Sequence, residues 1–295
     1  MAITHPQFDP VAISLGSLQV HWYGLMYLLA FATAYGLALY RSKQNPNFNA
    51  DMVSDLVFFG ALGVILGGRI GYVLLYGFNE LLADPFYLFK VWEGGMSFHG
   101  GLVGVILAMC YFAHKYKKHP FTVLDFIAPC VPTGLFFGRI GNFINGELPG
   151  RVSQGNHDWL MYFPQATKAD YTLITDNPTL ATIASNIDGY MLLPRHPSQL
   201  YQAFSEGVLL FILLWWFSSK PRPRYAVCAL FLLGYGCSRF ITEFFRQPDV
   251  GYELIMGWMS KGQLYSLPMI IFGIILMIKA YKTPVYDWQR QSTAV

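Results

Sequence analysis

The chain has 295 residues, of which 54% are hydrophobic, 17% aromatic and only 13% charged, with a net charge of +3. Soluble domains carry near 25% charged residues, so this composition excludes one, and lysines and arginines scattered in short groups exclude the basic stripe that nucleic acid needs. The four cysteines, Cys110, Cys130, Cys228 and Cys237, lie in apolar segments without CxxC or Cys/His spacing. That pattern speaks against a structural metal or disulfide framework and reads as buried free thiols.

About 20 apolar residues are needed to cross a bilayer. Seven segments qualify, near 18–40, 53–77, 97–114, 121–141, 200–218, 225–245 and 262–281. The expected fold is therefore all-α, a single polytopic membrane domain over 1–295 with seven transmembrane helices. The N-terminus lacks the basic region of a cleavable signal peptide, and the first apolar run is long enough to remain as a span.

Tyr23 falls early in the first span. The second carries Gly60, Gly63, Gly67, Gly68 and Gly71, a row that predicts close helix packing. Arg69 sits within that row, either paired structurally or touching a substrate. Residues 78–96 read as a short outer segment along the interface. The third span opens on Ser97-Phe98-His99-Gly100-Gly101, where the two glycines leave the imidazole open to a ligand. An imidazole with an unperturbed pKa near 6.5 accepts a proton at neutral pH.

The fourth span ends in Gly138-Arg139-Ile140-Gly141-Asn142-Phe143-Ile144-Asn145-Gly146-Glu147. A charge near mid-bilayer costs between about 3 and 15 kcal/mol, so a guanidinium kept there beside two amides and a carboxylate points to an anionic ligand. The long polar insertion at 142–198 predicts a small extracytoplasmic head. It ends in Pro194-Arg195-His196-Pro197-Ser198-Gln199-Leu200-Tyr201, an extended stretch that serves either as an interfacial anchor or as part of a site. In the sixth span Tyr235, Arg239 and Glu243 recur at i, i+4 and i+8 and share a face, as an intrahelical ion pair or with a charged substrate between them.

Arg41 and Lys43, Lys115, Lys117 and Lys118, Lys220, Arg222 and Arg224, and Lys279, Lys282 and Arg290 follow alternate spans. The positive-inside rule then puts the N-terminus outside and the C-terminus in the cytoplasm. At about 1.5 Å per helical residue, Tyr23, Arg69, His99, Arg139 and Arg239 all fall in the outer half of the bilayer.

The runs Gly138–Gly150 (GRIGNFINGELPG), Ser97–Gly101 (SFHGG), Arg195–Tyr201 (RHPSQLY), Gly234–Asp249 (GYGCSRFITEFFRQPD) and His21–Gly24 (HWYG) make the chain resemble the bacterial prolipoprotein diacylglyceryl transferases over nearly its whole length. One departure is Gln202, where members often carry glutamate. The resemblance implies an inner-membrane enzyme that moves the diacylglyceryl group of phosphatidylglycerol to the lipobox cysteine of a prolipoprotein. The product is a thioether, glycerol 1-phosphate leaves, and no metal or cofactor takes part.

In that setting His99 is the expected general base, or a group beside the attacking sulfur. Arg139 and Arg239 are expected to grip the phosphate, and Asn142, Asn145 and Tyr235 to hydrogen-bond the head group. Glu147 and Glu243 would orient the arginines, Tyr23 would border the pocket, and Arg69 is a further candidate for substrate contact. The rival readings are an anion or lipid transporter, disfavoured by the lack of an internal repeat, and a seven-span receptor or scaffold, which leaves the buried arginines unexplained.

Overall fold

The computed structural model describes residues 3–16, 18–155, 159–248 and 254–287. Arg290, counted above for orientation, and Asp249, which closes one of the motifs, lie outside these residues. All seven apolar segments are helical. They correspond to α1 (Trp22–Ser42), α2 (Ala50–Leu75), α4 (Phe98–Lys115), α5 (Pro120–Ile127) with α6 (Val131–Ile144), α8 (Ser198–Gln202) with α9 (Leu210–Phe217), α10 (Ala226–Thr242) and α11 (Lys261–Lys282). Two short helices, α3 (Phe78–Ala83) and α7 (Thr167–Asp176), complete the α-helical set among the described residues, together with short 3₁₀ helices and a π-helical stretch, Ala203–Leu209, between α8 and α9.

Among the described residues, five helices are long and apolar enough to cross a membrane: Trp22–Ser42, Ala50–Leu75, Pro120–Ile144, Ser198–Phe217 and Lys261–Lys282. The helices α4, of 18 residues, and α10, of 17, are not among the five. The chain is thus a polytopic helical membrane protein.

Two expectations need correction. The first span does not start at residue 18, because Leu18–His21 forms a strand (β3) paired antiparallel with β2 (Val11–Leu15), and the helix begins at Trp22. Alternation of Leu18, Gln19, Val20 and His21 supports a hairpin strand, whereas hydropathy alone merges it with the helix that follows. The cysteines are free thiols, but of the four only Cys130 is buried, and Cys110 and Cys237 are exposed. On helices that face lipid, an apolar position is not necessarily an interior one.

Contacts divide the chain into two compact units, Met1–Ala34 with Ala128–Lys220 and Ala226–Thr283, and Tyr35–Ile127 with Pro221–Tyr225 and Pro284–Val295. In the second unit α2 and α4 pack antiparallel on glycine. A Cβ on Gly104 would lie 2.1 Å from the Gly63 carbonyl oxygen, and one on Gly100 would lie 2.3 Å from that of Gly67. Close approach of this kind gives helices their dispersion contacts where lipid supplies no hydrophobic drive. The glycine row is therefore a packing seam, as expected. Gly100 belongs to the same seam rather than to an opening beside His99.

In the first unit α10 and α11 also pair antiparallel, with Gly236 against Ile270 and Gly273 against Leu233. A capping box starts α11: Ser260 accepts from the Gln263 N–H while the Gln263 side chain accepts from the Ser260 N–H. Leu210, Leu214, Val227 and Ala128 form a buried apolar cluster next to Tyr235.

The polar insertion is compact. Strand β4 (Met161–Tyr162) pairs parallel with β1 (Ile3–Thr4), and β5 (Ser185–Ile187) pairs antiparallel with β6 (Tyr190–Leu192). Its center is an ion pair between Asp170 on α7 and Arg195, whose side chains are 0% and 1% exposed. Burial pushes the Asp170 carboxyl up from its ordinary value, and Arg195 opposes that shift.

Candidate active site

The C-terminus of α6 is built by local sequence. Asn145 caps the helix, and Gly146 follows with φ +67°, a left-handed conformation that favours glycine. The Gly146 N–H then donates to the Phe143 carbonyl and the Glu147 N–H to that of Asn142, both at 2.9 Å, which is a complete Schellman motif. This turn folds Glu147 back over its own helix. Asn142 Nδ2 donates to Glu147 Oε2 at 3.2 Å and Asn145 Nδ2 to Oε1 at 3.1 Å. Gln199 Nε2 donates to the Glu147 carbonyl at 2.6 Å and anchors the turn to the start of α8.

One turn earlier on α6, Arg139 directs Nη2 and Nε to Glu206 Oε2 at 3.3 and 3.4 Å. Glu206 lies in a π-helical stretch, Ala203–Leu209, between α8 and α9, and its side chain is 0% exposed. Its other oxygen is 3.8 Å from Arg239 Nη1 and 3.5 Å from the Thr242 hydroxyl. Arg239 Nη2 is 2.9 Å from Glu243 Oε2, and Glu243 Oε1 is 3.3 Å from Arg246 Nη1.

The result is a ladder of alternating charge through Arg139, Glu206, Arg239, Glu243 and Arg246. Apart from the 2.9 Å contact of Arg239 with Glu243 its contacts are loose, from 3.3 to 3.8 Å, because charge-assisted bonds usually close to about 2.7–2.9 Å. Arg239 Nη1 and Glu243 Oε2 are buried without a hydrogen-bond partner of good geometry. Room for Glu243 comes from Gly262, where a Cβ would lie 2.7 Å from the carboxyl carbon.

Two phenols border this ladder. Tyr235, one turn before Arg239, feels the charges of Glu206, Arg239, Arg139 and Glu243. Tyr23 on α1 feels those of Glu147 and Arg139, and its ring packs 2.9 Å from where a Cβ on Gly141 would stand. The first unit thus brings together Tyr23, Arg139, Asn142, Asn145, Glu147, Tyr235, Arg239 and Glu243. Glu147 is held by the two asparagine amides, so the carboxylate that meets Arg139 is Glu206.

The two remaining candidates belong to the second unit. Arg69 is 3% exposed, and its guanidinium is engaged with backbone. Nη1 donates to the Gly94 carbonyl at 2.5 Å, Nη2 to that of Tyr87 at 2.6 Å and Nε to that of Leu88 at 3.1 Å. Of the two roles open to it in the sequence, this geometry supplies the structural one, folding segment 84–95 onto α2. His99 is in the first turn of α4, which Ser97 caps by accepting from the Gly100 N–H at 3.2 Å. The imidazole is exposed and lines an apolar groove of about 750 Å³ between α2 and α4, with Leu66, Ile70, Val103 and Leu107.

Arg195 likewise takes the anchoring role. Besides Asp170 it donates from Nη1 to the Gly150 carbonyl at 2.9 Å. His196 Nδ1 lies 3.2 Å from the Tyr201 hydroxyl.

Sequence reasoning missed Glu206 and Arg246. The signal for Glu206 was present as an acid within the fifth apolar segment, four residues after Gln202. His5 was also passed over. It is buried against Phe143 and Phe163, and its Nε2 lies 2.6 Å from the Phe143 carbonyl at the end of α6. Burial lowers its pKa from the ordinary 6.5.

The profile of the prolipoprotein diacylglyceryl transferases matches residues 10–279. A phosphatidylglycerol–prolipoprotein diacylglyceryl transferase of Psychrobacter arcticus is 67% identical over 289 residues, with 98% of each chain covered. One of Acinetobacter baumannii strain ACICU is 58% identical over 294 residues, covering 99% of this chain and 100% of the relative. One of Acinetobacter baylyi is 58% identical over 288 residues, covering 97% of each. By its profile match and by identity along its full length, the chain belongs to the prolipoprotein diacylglyceryl transferase family.

Proposed function

We propose that this chain transfers the diacylglyceryl group of phosphatidylglycerol to the lipobox cysteine thiol of a prolipoprotein and releases glycerol 1-phosphate. The observation that carries the reading is the meeting of Arg139 and Arg239, from separate apolar helices, on one buried carboxylate. The reaction is a displacement at an sp³ carbon. The sulfur–carbon bond forms as the carbon–oxygen bond to phosphate breaks, and the electron pair of that bond leaves on the phosphate.

Two tasks dominate. The departing phosphate must be neutralised where the dielectric is low, and a pair of planar guanidinium forks suits its oxygens. The thiol, near pKa 8.5 when free, must lose its proton. In this reading His99 accepts it, and the apolar groove beside His99 suits a lipid-borne substrate. Asn142, Asn145 and Tyr235 hydrogen-bond the glycerol head group, Tyr23 borders the pocket, and Glu243 orients Arg239. Arg69 supports the fold of the outer segment.

The reading extends to topology. We place the protein in the bacterial inner membrane with seven crossings, the N-terminus and the 142–198 head outside and the C-terminus in the cytoplasm. The alternation of basic residues along the chain supports it.

The test is the full chain in detergent with phosphatidylglycerol and a lipobox peptide. The expected result is a thioether-linked peptide and one glycerol phosphate per turnover. Lipid binding with no release would favour a transporter instead.

A further inference from the structure

Glu206 is an unusual neighbour for a phosphate site, since a carboxylate between two arginines competes with the anion they are to hold. Three features show that its place is built rather than incidental. The stretch Ala203–Leu209 is π-helical, a register that is rare and frequently found at functional sites. Gly207 lets that stretch close on α6, because a Cβ there would lie 2.7 Å from Phe136 Cβ. The carboxylate then offers one oxygen to each arginine, at distances from 3.3 to 3.8 Å that neutralise without saturating either.

Charge counting gives this arrangement a consequence. The ladder holds three arginines against two glutamates, Glu206 and Glu243, which leaves one net positive charge; the Glu147 carboxylate is tied to the amides of Asn142 and Asn145 and is not a rung of it. The bordering Tyr235 is neutral as a phenol. A phosphodiester carries one negative charge and balances the ladder. A phosphomonoester carries about 1.5 to 2 negative charges at neutral pH, with its second pKa near 6. The leaving group is such a monoester, so departure from carbon overfills the site by about half to one charge, next to a buried carboxylate.

We infer that Glu206 is a specificity-determining residue that tunes the arginine clamp to hold a phosphodiester monoanion and to expel the phosphomonoester dianion made by the reaction. The inference rests on Arg139 and Arg239 being the phosphate clamp. Without the Glu206 charge the ladder carries two positive charges and suits the product better than the substrate.

The experiment compares inhibition of the full-length protein in detergent by glycerol 1-phosphate, the dianion, and by glycerophosphoglycerol, the deacylated diester. The wild-type protein is expected to favour the diester, and equal or tighter inhibition by the monoester would overturn the inference at once. In Glu206→Gln the ratio of inhibition constants is expected to shift by at least about tenfold toward the monoester, a change of about 1.4 kcal/mol. Turnover should fall as product release becomes limiting, while KM for phosphatidylglycerol changes less.

An unchanged ratio in Glu206→Gln would contradict the inference. Should that variant not fold, Glu206→Asp keeps the charge and is expected to keep the preference for diester, and its loss there would count against the inference. The clamp itself is judged separately. If Arg139→Ala is inhibited by both compounds as strongly as wild type, the clamp reading fails whatever Glu206 does.

Discussion

Replacing Asp170 by asparagine removes one charge from an ion pair that water does not reach, since Asp170 is 0% and Arg195 1% exposed. The guanidinium is left buried with neutral acceptors alone, the asparagine oxygen and the Gly150 carbonyl 2.9 Å from Nη1. The Leu193 N–H also loses the Asp170 oxygen that it reaches at 3.0 Å. Breaking a buried pair by deleting one partner costs about 3–5 kcal/mol, because the remaining charge is uncompensated.

Expressed as local opening of the 142–198 segment, that cost raises the open population by about 10²- to 5 × 10³-fold. Limited proteolysis of the detergent-solubilised protein, with cleavage mapped by mass spectrometry, reads this population when reclosing is faster than cutting. Cleavage of Asp170→Asn between residues 167 and 192 is expected to accelerate by that factor. The double variant Asp170→Leu/Arg195→Met, which removes both charges, should recover most of the protection. Turnover should fall with the single variant, because Gly150 follows Glu147 by three residues and Gln199 fixes the turn between them. A single variant cleaved within threefold of the wild-type rate would refute the reasoning.

Gly104→Leu is expected to destabilise the protein in detergent by more than the 1–3 kcal/mol typical of overpacking, since the added carbon would start 2.1 Å from the Gly63 oxygen. A melting temperature equal to wild type would show that α2 and α4 do not meet on this seam. For His5 the folded pKa lies below the ordinary 6.5, so the unfolded chain binds the proton first. The stability held by neutral His5 is complete above about pH 6.5 and is lost as pH falls from there toward the folded value. Hydrogen exchange of Ile3–His5 should accelerate between pH 7 and pH 5 in wild type and much less in His5→Gln, and equal acceleration in both would remove His5 as the cause.

Much of this architecture is legible in the sequence because hydrocarbon is a demanding solvent. Long apolar runs locate the helices, and Asn145-Gly146 marks a helix end. Arg139, Arg239 and Glu243 stand out because the residues flanking them along their segments are mostly apolar. What escapes is whatever depends on the third dimension. The pairing of Arg139 with Glu206 joins residues 67 positions apart, and it depends on a π-helical register that periodicity does not encode. The role of Arg69 is set by backbone carbonyls of a segment whose composition gives no hint of where they point. The strand before α1 was masked by the hydropathy it shares with the helix.

The account rests on Arg139 and Arg239 gripping the phosphate of a lipid as carbon leaves it. Single-turnover transfer from phosphatidylglycerol to a lipobox peptide tests this most directly, because it removes product release from the rate. Arg139→Ala and Arg239→Ala should each slow that step by at least about 10²-fold, the usual cost of losing one preorganised donor to a developing anion. A wild-type single-turnover rate in either variant would contradict the account.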